Sequence, residues 1–167
     1  MVTFLIYRLT TFGANFNFQD CSNSLKEAFF DFFVVQKDLK VVKLYLNDFP
    51  FVQQLMFHIL ENYTSLRELS INSIHAIEFS THKLTQFMKL ISNLECLTLG
   101  SCLKGPDTLP EPLTNKLAVE KLSLEGYIVN SREELLRYIL QHCSNVKHLQ
   151  LWNNSDEMLQ HIFRTMV

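Results

Sequence analysis

The sequence predicts an α/β fold of stacked repeats: a right-handed, horseshoe-like arc whose parallel strands line the concave side and whose helices line the convex side. Three observations predict it. One apolar phrase recurs as Leu39-x-x-Val42-x-Leu44, Leu66-x-x-Leu69-x-Ile71, Leu94-x-x-Leu97-x-Leu99, Val119-x-x-Leu122-x-Leu124 and Val146-x-x-Leu149-x-Leu151, with starts 27, 28, 25 and 27 residues apart. A period in this range marks a solenoid rather than a single closed core. Between the phrases the apolar residues follow a 3.6-residue period, so each unit is a strand, a turn and a helix. Finally, 167 residues at 47% hydrophobic suffice for one continuous core but not for two ordinary domains. The whole chain, 1–167, is therefore expected to form one repeat domain.

Taken in order, the elements begin with a sixth, aromatic copy of the phrase. Phe4-x-x-Tyr7-x-Leu9-x-x-Phe12 keeps the same offsets and starts 35 residues before Leu39. The excess length is assigned to a loop over residues 13–24, rich in turn formers. Helices are expected at 25–36, 51–63, 83–91, 133–143 and 156–166. Ser131 with Glu134 forms a capping box for the fourth, and Ser155 caps the fifth. Gly105, Pro106, Pro110 and Pro112 exclude a regular helix from the third long repeat until at least Leu113. Three residues beyond each phrase a further inward position is expected, at Asn47, Ile74, Cys102, Tyr127 and Asn154. There Asn or Cys would bond backbone groups where the strand turns away.

The helix from Leu25 is apolar on nearly every side, with Phe29, Phe30, Phe32 and Phe33 wrapping it. A helix on the outer face needs one apolar stripe, so a second surface must cover the rest. Phe16 and Phe18 are the favoured cover, ahead of an upstream domain or another chain. The first strand, at residues 4–9, would be an uncapped sheet edge. A fragment lacking an amino-terminal cap or domain is the expectation from that edge.

Strand alternation turns the residues between the apolar positions outward, in three columns. The middle column is Arg8, Lys43, Ser70, Thr98, Ser123 and Gln150. The column after it holds Thr10, Tyr45, Asn72, Gly100, Glu125 and Trp152, and the column before it Ile6, Val41, Glu68, Cys96, Lys121 and His148. Candidate partner-binding residues are Arg8, Lys43, Tyr45, Glu68, Lys121, Glu125, His148, Gln150 and Trp152. Arg8, Lys43 and Tyr45 form one corner; His148, Gln150 and Trp152 form another. Exposed Trp, Tyr and Arg are the residue types enriched in binding hot spots. A tryptophan in the last repeat serves equally well as a cover for the end of the arc, and solvated surface is the default for the polar columns.

Charge and motif content exclude several function classes. Fifteen basic and 17 acidic residues are scattered without a basic run, which argues against a nucleic-acid partner. No apolar stretch reaches the ~18 residues of a membrane span, and Arg8 interrupts the apolar start without a cleavage site after it. Cys21, Cys96, Cys102 and Cys143 are irregularly spaced and read as reduced thiols of a cytoplasmic or nuclear protein. The sequons at Asn62 and Asn153 carry little weight without an export signal. No phosphate-binding loop, dinucleotide fingerprint, zinc-protease motif or nucleophile elbow is present, and the histidines have no metal-ligand spacing with the cysteines. No enzyme and no cofactor is expected.

The phrase is that of the leucine-rich repeats, in the longer version of the ribonuclease-inhibitor class with a helix on the outer face. Stretches such as Asn62-Tyr-Thr-Ser-Leu-Arg-Glu-Leu-Ser-Ile71, Ile91-Ser-Asn-Leu-Glu-Cys-Leu-Thr-Leu99 and His142-Cys-Ser-Asn-Val-Lys-His-Leu-Gln-Leu151 resemble the repeats of F-box proteins. Cys143 and Cys102 match, in separate repeats, the two cysteines of that family's cysteine-containing subtype. The resemblance implies the substrate-recognition half of an SCF ubiquitin ligase adaptor, binding a protein partner. The F-box itself has no room ahead of Phe4, so the resemblance implies ligase components as partners only if an F-box lies upstream. The alternative expectation is a stand-alone repeat protein that binds and blocks a target, with no ligase link.

Overall fold

The computed structural model describes residues 9–36, 38–47, 51–100, 103–114, 116–124, 128–129 and 132–151. The recurring phrases build a parallel six-stranded sheet from β1 (Thr11–Asn17), β2 (Val41–Asn47), β3 (Glu68–Ser73), β5 (Cys96–Gly100), β7 (Lys121–Leu124) and β9 (His148–Leu151). Neighbours in sequence are neighbours in the sheet. The pairing aligns the phrases position for position: Val42, Leu69, Leu97, Leu122 and Leu149 are successive partners, as are Leu44, Ile71, Leu99, Leu124 and Leu151. A second, three-stranded parallel sheet joins β4 (Ile77–Glu78), β6 (Leu103–Lys104) and β8 (Ile128–Val129), one short strand from each of three successive units.

Helices α1 (Asn23–Val35), α2 (Val52–Asn62), α3 (Thr81–Leu90) and α4 (Arg132–His142) occupy the crossovers. Their apolar stripes meet one face of the large sheet, where Phe33, Leu55, Ile59, Leu84, Met88, Leu135 and Ile139 share one core with Leu44, Ile71, Leu99 and Leu124. The alternation is strict on β2, where Val42, Leu44 and Leu46 are buried and Lys43 and Tyr45 are exposed. Ser22 and Ser80 cap α1 and α3 by accepting the amides of Leu25 and Lys83. The cap at Ser80 starts α3 two residues earlier than its apolar period does. The expected caps at Ser131 and Ser155, and the expected fifth helix, lie outside the described residues.

Along the amino ends of the strands one backbone hydrogen bond repeats five times at 2.8 Å, from Lys40 to Thr10, Arg67 to Lys40, Glu95 to Arg67, Glu120 to Glu95 and Lys147 to Glu120, N–H to carbonyl. Side chains follow the same steps, with Arg67–Glu95 and Lys147–Glu120 ion pairs at 3.7 and 2.8 Å. Just before the strands, Tyr63, Ile91 and Cys143 turn the chain by accepting the amides of Leu66, Leu94 and Val146. The buried Tyr63 hydroxyl also donates to the Phe33 carbonyl at 2.6 Å, tying one unit to the preceding helix.

Two expectations are corrected. The stretch expected to be a 13–24 loop instead carries most of β1 (Thr11–Asn17) and the start of α1 at Asn23, while the strand expected over 4–9 falls almost wholly on residues 1–8, outside the described residues. The amino-terminal copy is thus framed Leu9-x-x-Phe12-x-Ala14, with Phe12 opposite Val42 and Ala14 opposite Leu44. Aromatic packing supports this frame. Phe12 sits 4.9 Å from Phe32 and 5.5 Å from Phe33 between ring centroids, and Phe29 contacts Phe16, Phe18 and Phe33 at 4.8–5.3 Å. Phe16 and Phe18 do cover α1, while Leu25, Val34 and Val35 stay exposed.

The inward turn position is also absent where it can be seen. Asn47 is exposed, and Ile74 is 68% exposed. The period-two alternation continues inward through Leu46 and Ser73, which leaves the next residue on the other side. Cys102, Tyr127 and Asn154 lie outside the described residues.

The helix-free stretch follows the sequence expectation: among the described residues, 105–114 and 116–120 hold no helix or strand. It is fastened to α4 instead. Tyr138 donates its hydroxyl to the Glu111 carbonyl at 3.3 Å, and the Leu113 amide donates to His142 Nε2 at 2.9 Å. Because Nε2 accepts, the neutral ring carries its proton on Nδ1, which faces the Tyr138 carbonyl at 2.6 Å.

Candidate functional site

With one face of the large sheet covered by helices, its other face carries the polar residues of the strands. Parallel register sets them in rows: Val41, Glu68, Cys96, Lys121 and His148 across the first, and Lys43, Ser70, Thr98, Ser123 and Gln150 across the second. Ser70 and Ser123 are nearly covered, whereas Lys121, His148 and Gln150 are exposed. The result is a trough of about 790 Å³ whose lining includes Cys96, Thr98 and Ser123.

Lys43, Glu68, Lys121, His148 and Gln150 all line this trough. Tyr45 lies on the same face, 52% exposed, but outside the lining. Arg8, Glu125 and Trp152 lie outside the described residues. Beside Lys43 on β1 lies Gly13, and beside Tyr45 lies Asn15. Lys43 instead turns toward β3, where its Nζ donates to Glu68 Oε1 at 2.7 Å. That bond raises the lysine above its ordinary value, against a small opposing effect of burial.

Cys96 has its thiol pushed up, first by burial and then by the Glu68 carboxylate, so it stays protonated at neutral pH. Ser123 directs its hydroxyl toward Gln150 Oε1 at 3.5 Å. Asn72 lies across Gly100 so closely that a β-carbon there would fall 1.4 Å from Asn72 Oδ1. The glycine is needed for the approach, and the amide forms part of the face.

Lys147, at the trough's rim, is a lining residue that the column argument omits. It falls one place before the first outward column and pairs with Glu120 across the strands at 2.8 Å. Among the described residues, no group of three or more His, Cys, Asp and Glu side chains is arranged to hold a metal. No described helix is long and apolar enough to cross a membrane. The chemistry this face offers is hydroxyl and amide hydrogen bonding together with lysine charge. No protein-family model matches the chain, and neither does any curated protein or solved structure.

Proposed function

We propose that this chain is a leucine-rich-repeat arc serving as a non-catalytic protein-binding module, with the open strand face as the partner surface. The carrying observation is the register. Phrases about one repeat apart in sequence become lateral neighbours in one sheet, each crossover returning over the same face. That is how a stacked repeat shares a core it could not bury alone, and it leaves a continuous face free for recognition. The resemblance of the repeat phrases to those of F-box proteins supports a substrate-recognition role in an SCF ubiquitin ligase adaptor. A stand-alone binding protein of the ribonuclease-inhibitor type is the second reading. It is favoured by the covering of α1 from within the chain by Phe16 and Phe18.

Affinity purification with mass spectrometry tests the surface. Partners recovered by the wild type should be lost on Thr98→Arg, which fills the trough, and reduced on Tyr45→Ala. They should be retained on Lys89→Glu, a control on the exposed side of α3. Equal recovery by all four proteins would remove the open face as the binding surface. Co-purification of the ligase linker subunit decides between the two readings.

A further inference from the structure

The open face is charged differently from the molecule that carries it. The chain has a formal net charge of −2, yet among the described residues the trough is lined by Lys43, Lys121, Lys147 and His148 against the carboxylate of Glu68, with Glu120 beside Lys147. Two of these lysines are already engaged, Lys43 by Glu68 at 2.7 Å and Lys147 by Glu120 at 2.8 Å. Lys121 is not: among the described residues no carboxylate forms an ion pair with it, and it is exposed. Its lateral partner on β9 is His148, and on β5 it is Cys96, whose thiol is held neutral. The next row supplies the Thr98 hydroxyl and the Gln150 side-chain amide as donors, while the nearly covered Ser123 hydroxyl is directed to Gln150 Oε1. An exposed ammonium with no ion-pair partner among the described residues, beside an imidazole and hydroxyl and amide donors, is a surface for an anion. The strands beside it hold the row open over several side chains rather than at one point.

We infer that the trough over β5, β7 and β9 binds an acidic, carboxylate-bearing peptide segment of the partner, with Lys121 as the central contact and His148 and Gln150 beside it. This rests on the open face being the partner surface. Lys121 pairs directly with an Asp or Glu side chain, while Lys43 is already engaged by Glu68. Electrostatic complementarity of this kind contributes specificity and association rate more than raw affinity. Binding should therefore weaken with salt on the scale of a Debye length of about 8–10 Å at physiological ionic strength.

The test is fluorescence anisotropy of the full chain with labelled Glu-rich, Gln-rich and Lys-rich peptides of equal length. The Glu-rich peptide should bind most tightly. Its affinity should fall about five- to tenfold in Lys121→Glu and recover in Lys121→Arg, in line with the loss of a partly exposed charge contact. Unchanged thermal melting of the variants keeps folding out of the comparison. Equal binding of the Gln-rich peptide, or no effect of Lys121→Glu, would overturn the inference. Partners that survive Lys121→Glu but are lost on Thr98→Arg would end the acidic-segment assignment while leaving the open face as the binding surface.

Discussion

At Gly100 a single missing methyl group fixes how two strands meet. A β-carbon there would meet the far end of the Asn72 side chain, so Gly100→Ala should force that amide out of its present rotamer at a cost of about 0.5–1.5 kcal/mol. Combining it with Asn72→Ala should return most of that loss in a double-mutant cycle of urea unfolding. His142 gives a second residue-scale expectation. Its Nε2 takes the Leu113 amide, and His142→Ala leaves that amide without its partner, at a cost of about 1–3 kcal/mol. Cys143 supplies the pH dependence: burial pushes its thiol from an ordinary value of 9.0 up to about 12. A raised folded value means that the folded chain holds the proton more tightly than the unfolded one. The stabilisation is therefore complete below pH 9.0 and is lost as pH rises through about 12. Thermal midpoints should fall across that window, and the fall should be shallower in Cys143→Ala.

Among elements, α3 depends on a cap and the stretch after β6 depends on a neighbour. Ser80→Ala removes the oxygen that accepts the Lys83 amide and should cost about 1 kcal/mol, measured by thermal or urea unfolding. The strands β2, β3, β5, β7 and β9 and the helices α2 to α4 were readable in the sequence because their inward positions hold Leu, Ile and Val at a constant offset, whereas the two-residue strands β4, β6 and β8 are too short to show a period. Alternation then fixed which side chains face outward. The first strand was not readable in the same way. Leu9 fits the template both as the last residue of the frame starting at Phe4 and as the first of the frame ending at Ala14, and periodicity alone cannot choose. The choice is made by ring contacts between Phe12 and α1, which no local pattern encodes. The turn position at Asn47 and Ile74 failed for a related reason, since a spacing carried over from a repeat template says nothing of where alternation stops. In the trough, the columns brought Lys43 near Glu68, but the partition into engaged and unengaged lysines is decided by side-chain reach across strands.

For the whole molecule, the sheet has a protected centre and thinner ends. Leu97 and Leu149 hold the same place in the phrase, yet Leu97 is fully buried and Leu149 is 37% exposed. Leu97→Ala should cost about 2–5 kcal/mol, and Leu149→Ala distinctly less, on a common urea-denaturation scale. The sequential strand order also has a consequence for how the chain comes into being. Every lateral pairing in the large sheet joins segments one unit apart, so none waits for the opposite end of the polypeptide. Loop closures of equal, modest length replace the single large one that a closed sheet demands. On a ribosome, β3 can dock on β2 while β9 is still unsynthesised, and each new unit would find its template already in place.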